Sequence, residues 1–99
     1  MDEQQDAVPS WRVRVSGRVL GVYFRAWTQQ QARSLGICGW VRNEDDGGVT
    51  ALLQHSDERV LAQMLELLRA GPPAAAVLGL DCEVLGAYGE LHSGFSISR

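Results

Sequence analysis

The hydrophobic period switches repeatedly along the 99 residues of this chain, and the order of those switches most limits what it can fold into. Trp11, Val13 and Val15 alternate with Arg12, Arg14 and Ser16, which is the period-two pattern of a half-buried strand. From Phe24 to Leu35 the period lengthens: Phe24, Trp27, Ala32 and Leu35 share one side of a helix, and Gly36 is a natural stop. Residues Ile37 to Asn43 and Val49 to His55 read as two strands joined by the turn Asp45-Asp46-Gly47-Gly48, an antiparallel hairpin. Ser56 is expected to cap a second helix whose stripe is Val60, Leu61, Met64, Leu67 and Leu68, ended by Gly71-Pro72-Pro73. A fourth strand follows from Val77 to Leu85, with Leu78, Leu80, Cys82 and Val84 on one side and Asp81 and Glu83 on the other. After an irregular connection from Gly86 to Gly94, Phe95 and Ile97 alternate with serines as a short extra edge strand.

The order βαββαβ implies an α+β fold, the ferredoxin-like split βαβ sandwich, in which an antiparallel sheet carries two helices on one face. Residues 1–10 are acidic and polar and are expected to be a flexible tail, leaving 11–99 as a single domain. Arg12, Arg14, Asp81 and Glu83 would lie on the wet face of the sheet, while Trp27 and Leu67 turn inward.

Charge narrows the function. The net charge is −3 and all nine cations are arginine, which argues against sequence-independent nucleic-acid binding but leaves room for one focused cationic site. No apolar run approaches the roughly 18 residues of a membrane span, and the start does not resemble a secretory signal, so a cytoplasmic protein is expected. Cys38 and Cys82 have neither metal-ligand nor redox spacing and read as free thiols at the core or its edge. His55 and His92 are isolated, so neither a metal nor a cofactor is expected.

The best candidate for that cationic site is Gly17-Arg18-Val19-Leu20-Gly21-Val22-Tyr23-Phe24-Arg25, between the first strand and the first helix. A helix start presents unpaired amides and the positive end of the macrodipole, so Arg25 is disfavoured there unless an anion sits nearby. The first helix contains no acidic residue to complement that dipole. Two glycines let the preceding backbone close around a ligand, as phosphate sites at helix starts require. An ordinary βα turn with a surface arginine accounts for these residues equally well.

With a second segment, Gly39-Trp40-Val41-Arg42-Asn43 and its following Asp46-Gly47 turn, the chain resembles the acylphosphatase family from about Trp11 to Arg99. The resemblance implies hydrolysis of the carboxyl–phosphate bond of acyl phosphates to a carboxylate and inorganic phosphate, without a metal. It makes Leu20, Gly21, Val22, Tyr23, Phe24 and Arg25 the phosphate-binding loop, and Arg25 and Asn43 the catalytic pair. Leu20 departs from the family's usual glutamine and lacks its amide hydrogen bonds.

These residue types suit that reaction. Amides and a guanidinium stabilise the charge on the equatorial oxygens of a loose phosphoryl-transfer transition state. A carboxamide at Asn43 can orient a water but cannot act as a strong base. The substrate must therefore carry a leaving group that needs no proton, and a carboxylate meets this need. A small-molecule substrate and a monomer are expected, with no nucleic-acid or membrane partner. The alternative is a non-catalytic phosphate or acyl-phosphate binding module, which Leu20 keeps open. An RNA-binding ferredoxin-like domain would need a basic surface and stacking aromatics that the sequence lacks. Asn43 as a plain turn residue and Trp40 as a core aromatic are the structural readings.

Overall fold

The computed structural model of the chain describes residues 8–88 and 91–98. Its elements follow the order β1 (Val8–Arg18), α1 (Phe24–Ser34), β2 (Cys38–Asn43), β3 (Val49–Gln54), α2 (Glu58–Ala70), β4 (Ala76–Tyr88) and β5 (Phe95–Ile97). The expected tail lies outside the described residues through residue 7, whereas Val8, Pro9 and Ser10 already pair with β4.

Five strands form one sheet in the order β4-β1-β3-β2-β5. The contacts of β1 with β3 and β4, and of β2 with β3, are antiparallel as expected. The last is not: β5 pairs parallel to β2, so the sheet is mixed. After β4 the chain crosses the whole sheet to reach its opposite edge, and that crossing sets the direction of β5.

Period two places Val13, Val15, Val41, Val49, Ala51, Leu53 and Phe95 in a single core, against Phe24 and Ala32 of α1 and Leu61, Met64 and Leu68 of α2. Burying one such large side chain contributes roughly 1.5–3 kcal/mol. Gly39 is fixed by this packing, because a Cβ there would stand 1.9 Å from the carbonyl oxygen of Leu52 on β3.

Three expectations change. The N-cap of α2 is Asp57, not Ser56: its carboxylate accepts from the Arg59 amide at 2.9 Å. The Asp57 amide in turn donates to His55 Nδ1 at 2.9 Å, which sets the start one residue later. Leu78 does not join Leu80 inside. The register shifts between Ser16, opposite Gly79, and Gly17, opposite Val77, so Leu78 is the extra residue of a β-bulge. Val77 takes the inward place and Leu78 is 84% exposed. Cys82 is likewise exposed rather than at the core, because it lies on the edge strand; both cysteines are free thiols.

On the outer face, Arg12 pairs with Glu83 at 2.7 Å, Arg14 with Asp46, and Arg42 with Glu44 at 3.0 Å. The face that could have been a basic strip is thus internally neutralised. Among the described residues no helix is long and apolar enough to cross a membrane.

Candidate active site

Strand direction brings the site together. Since β1 and β2 both run antiparallel to β3, and β5 runs parallel to β2, the C-terminal ends of β1, β2 and β5 meet at one end of the sheet. The loop after β1 and the start of α1 lie at that end.

The loop is built by two anchors and two left-handed residues. Val19 is buried and Val22 packs against the core, which pins the backbone on either side of Gly21. Gly21 has φ 71° with open space around a would-be Cβ, so glycine serves conformation there rather than clearance. Tyr23 also has a left-handed φ, 66°, and among the described residues it is the one non-glycine residue that does. It is the N-cap of α1 and makes no side-chain capping bond. The first intrahelical bond runs from the Trp27 amide to the Tyr23 carbonyl at 3.0 Å. The amides of the first turn therefore have no intrahelical acceptor, and that turn holds no acid.

A concavity of about 210 Å³ opens in front of these amides, lined by Gly21, Tyr23, Phe24, Arg25 and Asn43, with Val19, Ala26 and Ile97 completing its wall. Of the residues expected here, the structure brings these first five together. Leu20 and Val22 do not line it: Leu20 points to solvent, 44% exposed, and Val22 serves the core. Ile97 was not anticipated; its parity with Phe95 on β5 was the signal in the sequence, but the parallel pairing opposite Val41 was needed to locate it.

Asn43 arrives by parity. Gly39, Val41 and Asn43 share one face of β2; Val41 is buried, and Asn43 extends past the core edge towards the start of α1. Its neighbours Arg42 and Glu44 bond to each other. A side-chain bond from Thr50, reinforced by Arg42, holds the Glu44 carboxyl below the usual carboxylate range. With Glu44 matched by Arg42 and Asp46 by Arg14, no carboxylate among the described residues pairs with Arg25. A guanidinium left without an acid, open helix amides and a neutral carboxamide make a site complementary to an oxyanion.

An α+β sandwich with such a concavity at one sheet end defines a small domain of the split βαβ class. The family model described as Acylphosphatase matches residues 11–97. An acylphosphatase of Rhizobium etli is 51% identical over 84 residues, 85% of each chain. Among solved structures, the acylphosphatase of Bacillus subtilis superposes with a TM-score of 0.85 at 33% identity, covering 92% of this chain and 99% of that one. That of Coxiella burnetii gives 0.86 at 31% identity, covering 99% and 100%. The chain belongs to the acylphosphatase family, and as such it is a hydrolase of acyl phosphates.

Proposed function

We propose that hydrolysis is carried by the amides of residues 20–25 and Arg25, which hold the phosphoryl group, and by Asn43, which orients the attacking water. The observation that carries this reading is that Arg25 and Asn43, from different elements, line one concavity with the loop. The guanidinium offers a planar fork to two phosphoryl oxygens, and the amides take the remaining charge. The carboxamide oxygen of Asn43 accepts from the water and leaves one of its lone pairs facing phosphorus. As the new O–P bond forms, the bond from phosphorus to the acyl oxygen breaks. Its electron pair leaves on the carboxylate, and the water's proton passes to a phosphoryl oxygen. No group of the protein changes protonation state, and no metal is required by the donor set.

The reading includes a monomer acting on a small soluble substrate, with the concavity lined by residues of α1, β2, β5 and the loop before α1. Free Cys38 and Cys82 fit a reducing compartment such as the cytoplasm.

The test is hydrolysis of benzoyl phosphate, with inhibition by inorganic phosphate measured in parallel. Arg25→Gln is expected to lose both turnover and phosphate inhibition. Asn43→Ala is expected to keep phosphate inhibition and lose kcat by about a hundredfold or more. Normal kcat in Asn43→Ala, or wild-type phosphate inhibition in Arg25→Gln, contradicts the assignment. Activity abolished by a chelator and restored by metal would refute the metal-free step.

A further inference from the structure

Six large apolar side chains are exposed among the described residues: Leu20, Tyr23, Leu78, Val84, Leu91 and Ile97. Two of them, Tyr23 at 65% and Ile97 at 38% exposure, line the same concavity as Arg25 and Asn43, and Leu20 adjoins Gly21. Exposed apolar surface beside a convergent polar group is the usual composition of a ligand pocket.

Both side chains are held in place. The Tyr23 hydroxyl accepts from Gln30 Nε2 at 3.2 Å, so the ring is tethered to the second turn of α1. Ile97 sits opposite Val41, and the next amide, Ser98, donates to the Val41 carbonyl at 2.7 Å. Gln29 Nε2 donates to the Phe95 carbonyl at 3.0 Å, which ties β5 to α1. The two walls thus belong to different elements clamped together by side-chain and backbone bonds. Neither of them contributes to the core, since Ile97 and Tyr23 both lie outside it.

Among the described residues the lining contains one cation, Arg25, and no carboxylate. If the phosphoryl group takes Arg25 and the loop amides, as the proposed function has it, nothing charged in the lining remains for the acyl end. We infer that Tyr23 and Ile97 form an acyl subsite that selects apolar acyl phosphates, aromatic or branched, over small or charged ones. The ring and the branched chain lose water to the acyl group on binding. The amides and guanidinium stay with the phosphoryl group, so acyl selectivity and phosphate binding are separable.

The experiment compares kcat/KM for benzoyl phosphate and acetyl phosphate in wild type, Tyr23→Asn, Tyr23→Phe and Ile97→Ser, with inhibition by inorganic phosphate. Asparagine tolerates the left-handed backbone that Tyr23 adopts, so Tyr23→Asn removes the ring without forcing the loop. The benzoyl-to-acetyl ratio is expected to fall by about tenfold in Tyr23→Asn, the scale of an apolar pocket contact. It should also fall in Ile97→Ser and hold in Tyr23→Phe, which keeps the ring. Should Ile97→Ser fail to fold by circular dichroism, Ile97→Val reads a smaller fall in the same direction. A ratio unchanged in both Tyr23→Asn and the folded Ile97 variant, with both substrates turned over and phosphate still inhibitory, overturns the subsite alone. Absence of phosphate inhibition in wild type overturns the phosphate-end reading on which the subsite rests, and the subsite with it.

Discussion

Asn43 stands at the sheet end because side chains on a strand alternate. It is two residues beyond buried Val41, and a slip of one residue would put Arg42 in its place and Asn43 on the wet face. The type of residue matters as much as its place. Asn43→Asp keeps the shape but adds a negative charge beside the proposed position of the phosphoryl group, at a cost of about 4 kcal/mol for 4 Å at an effective dielectric constant of 20. The expected result is a loss of about a hundredfold or more in kcat/KM for benzoyl phosphate at neutral pH. Protonation neutralises the new carboxyl, so the deficit relative to wild type should shrink as pH falls towards about 4. A deficit that stays constant from neutral to acid pH would mean that charge at residue 43 is not what the site senses. Arg25 was legible in the sequence as an anomaly, a cation at a helix start with no acid nearby, whereas Asn43 stood out only through the family resemblance. Ile97 was not legible, because its role depends on which strand it lies beside.

The two helices treat their N-termini in opposite ways. α2 begins with an aspartate cap and Glu58 in its first turn, so its dipole is satisfied by the chain itself. α1 begins with a left-handed tyrosine, no side-chain cap and no acid, so its dipole is left for something outside. One helix start is closed by the chain's own cap and the other is left open. The Asp57 carboxyl is held below the usual carboxylate range, first by the Arg59 side chain and then by the Arg59 amide. A depressed carboxyl stabilises the fold fully above its unfolded pKa, and that contribution is lost as pH falls through the lower folded value. Asp57→Ala is therefore expected to lower Tm at neutral pH and to converge on wild type in strong acid, with turnover of acyl phosphate retained at temperatures well below Tm. Calorimetry across pH checks this; a Tm deficit that persists at the acid end would assign the effect to something other than the ionised cap. At this scale the sequence located α2 but put its cap at Ser56. A serine beside an aspartate offers two possible caps, and the bond from the Asp57 amide to His55 Nδ1, which favours Asp57, depends on a side-chain rotamer that the sequence does not display. The bulge that turns Leu78 outward is similar: period two continues through residue 78 in the sequence and breaks only in the register with β1.

At the scale of the molecule, β5 joins the core to the site. Phe95 is buried among core residues, and two residues later Ile97 lines the concavity. Phe95→Ala is expected to cost about 3–5 kcal/mol, read as a lower urea midpoint at unchanged slope. If β5 also shapes the site, the folded fraction of this variant should show a raised KM for benzoyl phosphate. Wild-type KM at full loss of stability would separate the core from the acyl end of the site. The whole molecule also matches three arginines of the outer face with acids. Arg12, Arg14 and Arg42 each have a carboxylate partner contributed by another strand or turn, or by the same strand end. Surface pairs of this kind contribute little to stability, but they cancel the field that a polyanion would need.

The sequence by itself determined the order of the elements, the phase of β1, β2 and β3, and the open start of α1. All of these are local: they depend on period, on charge placement and on turn chemistry within a few residues. Only the tertiary structure decided that β5 runs parallel to β2, that Leu78 leaves the core, and that Ile97 and Tyr23 face one concavity across from Asn43. Those outcomes depend on which edge of the sheet the chain reaches after β4. Hydrophobic periodicity does not encode that choice, because either edge would bury the same faces.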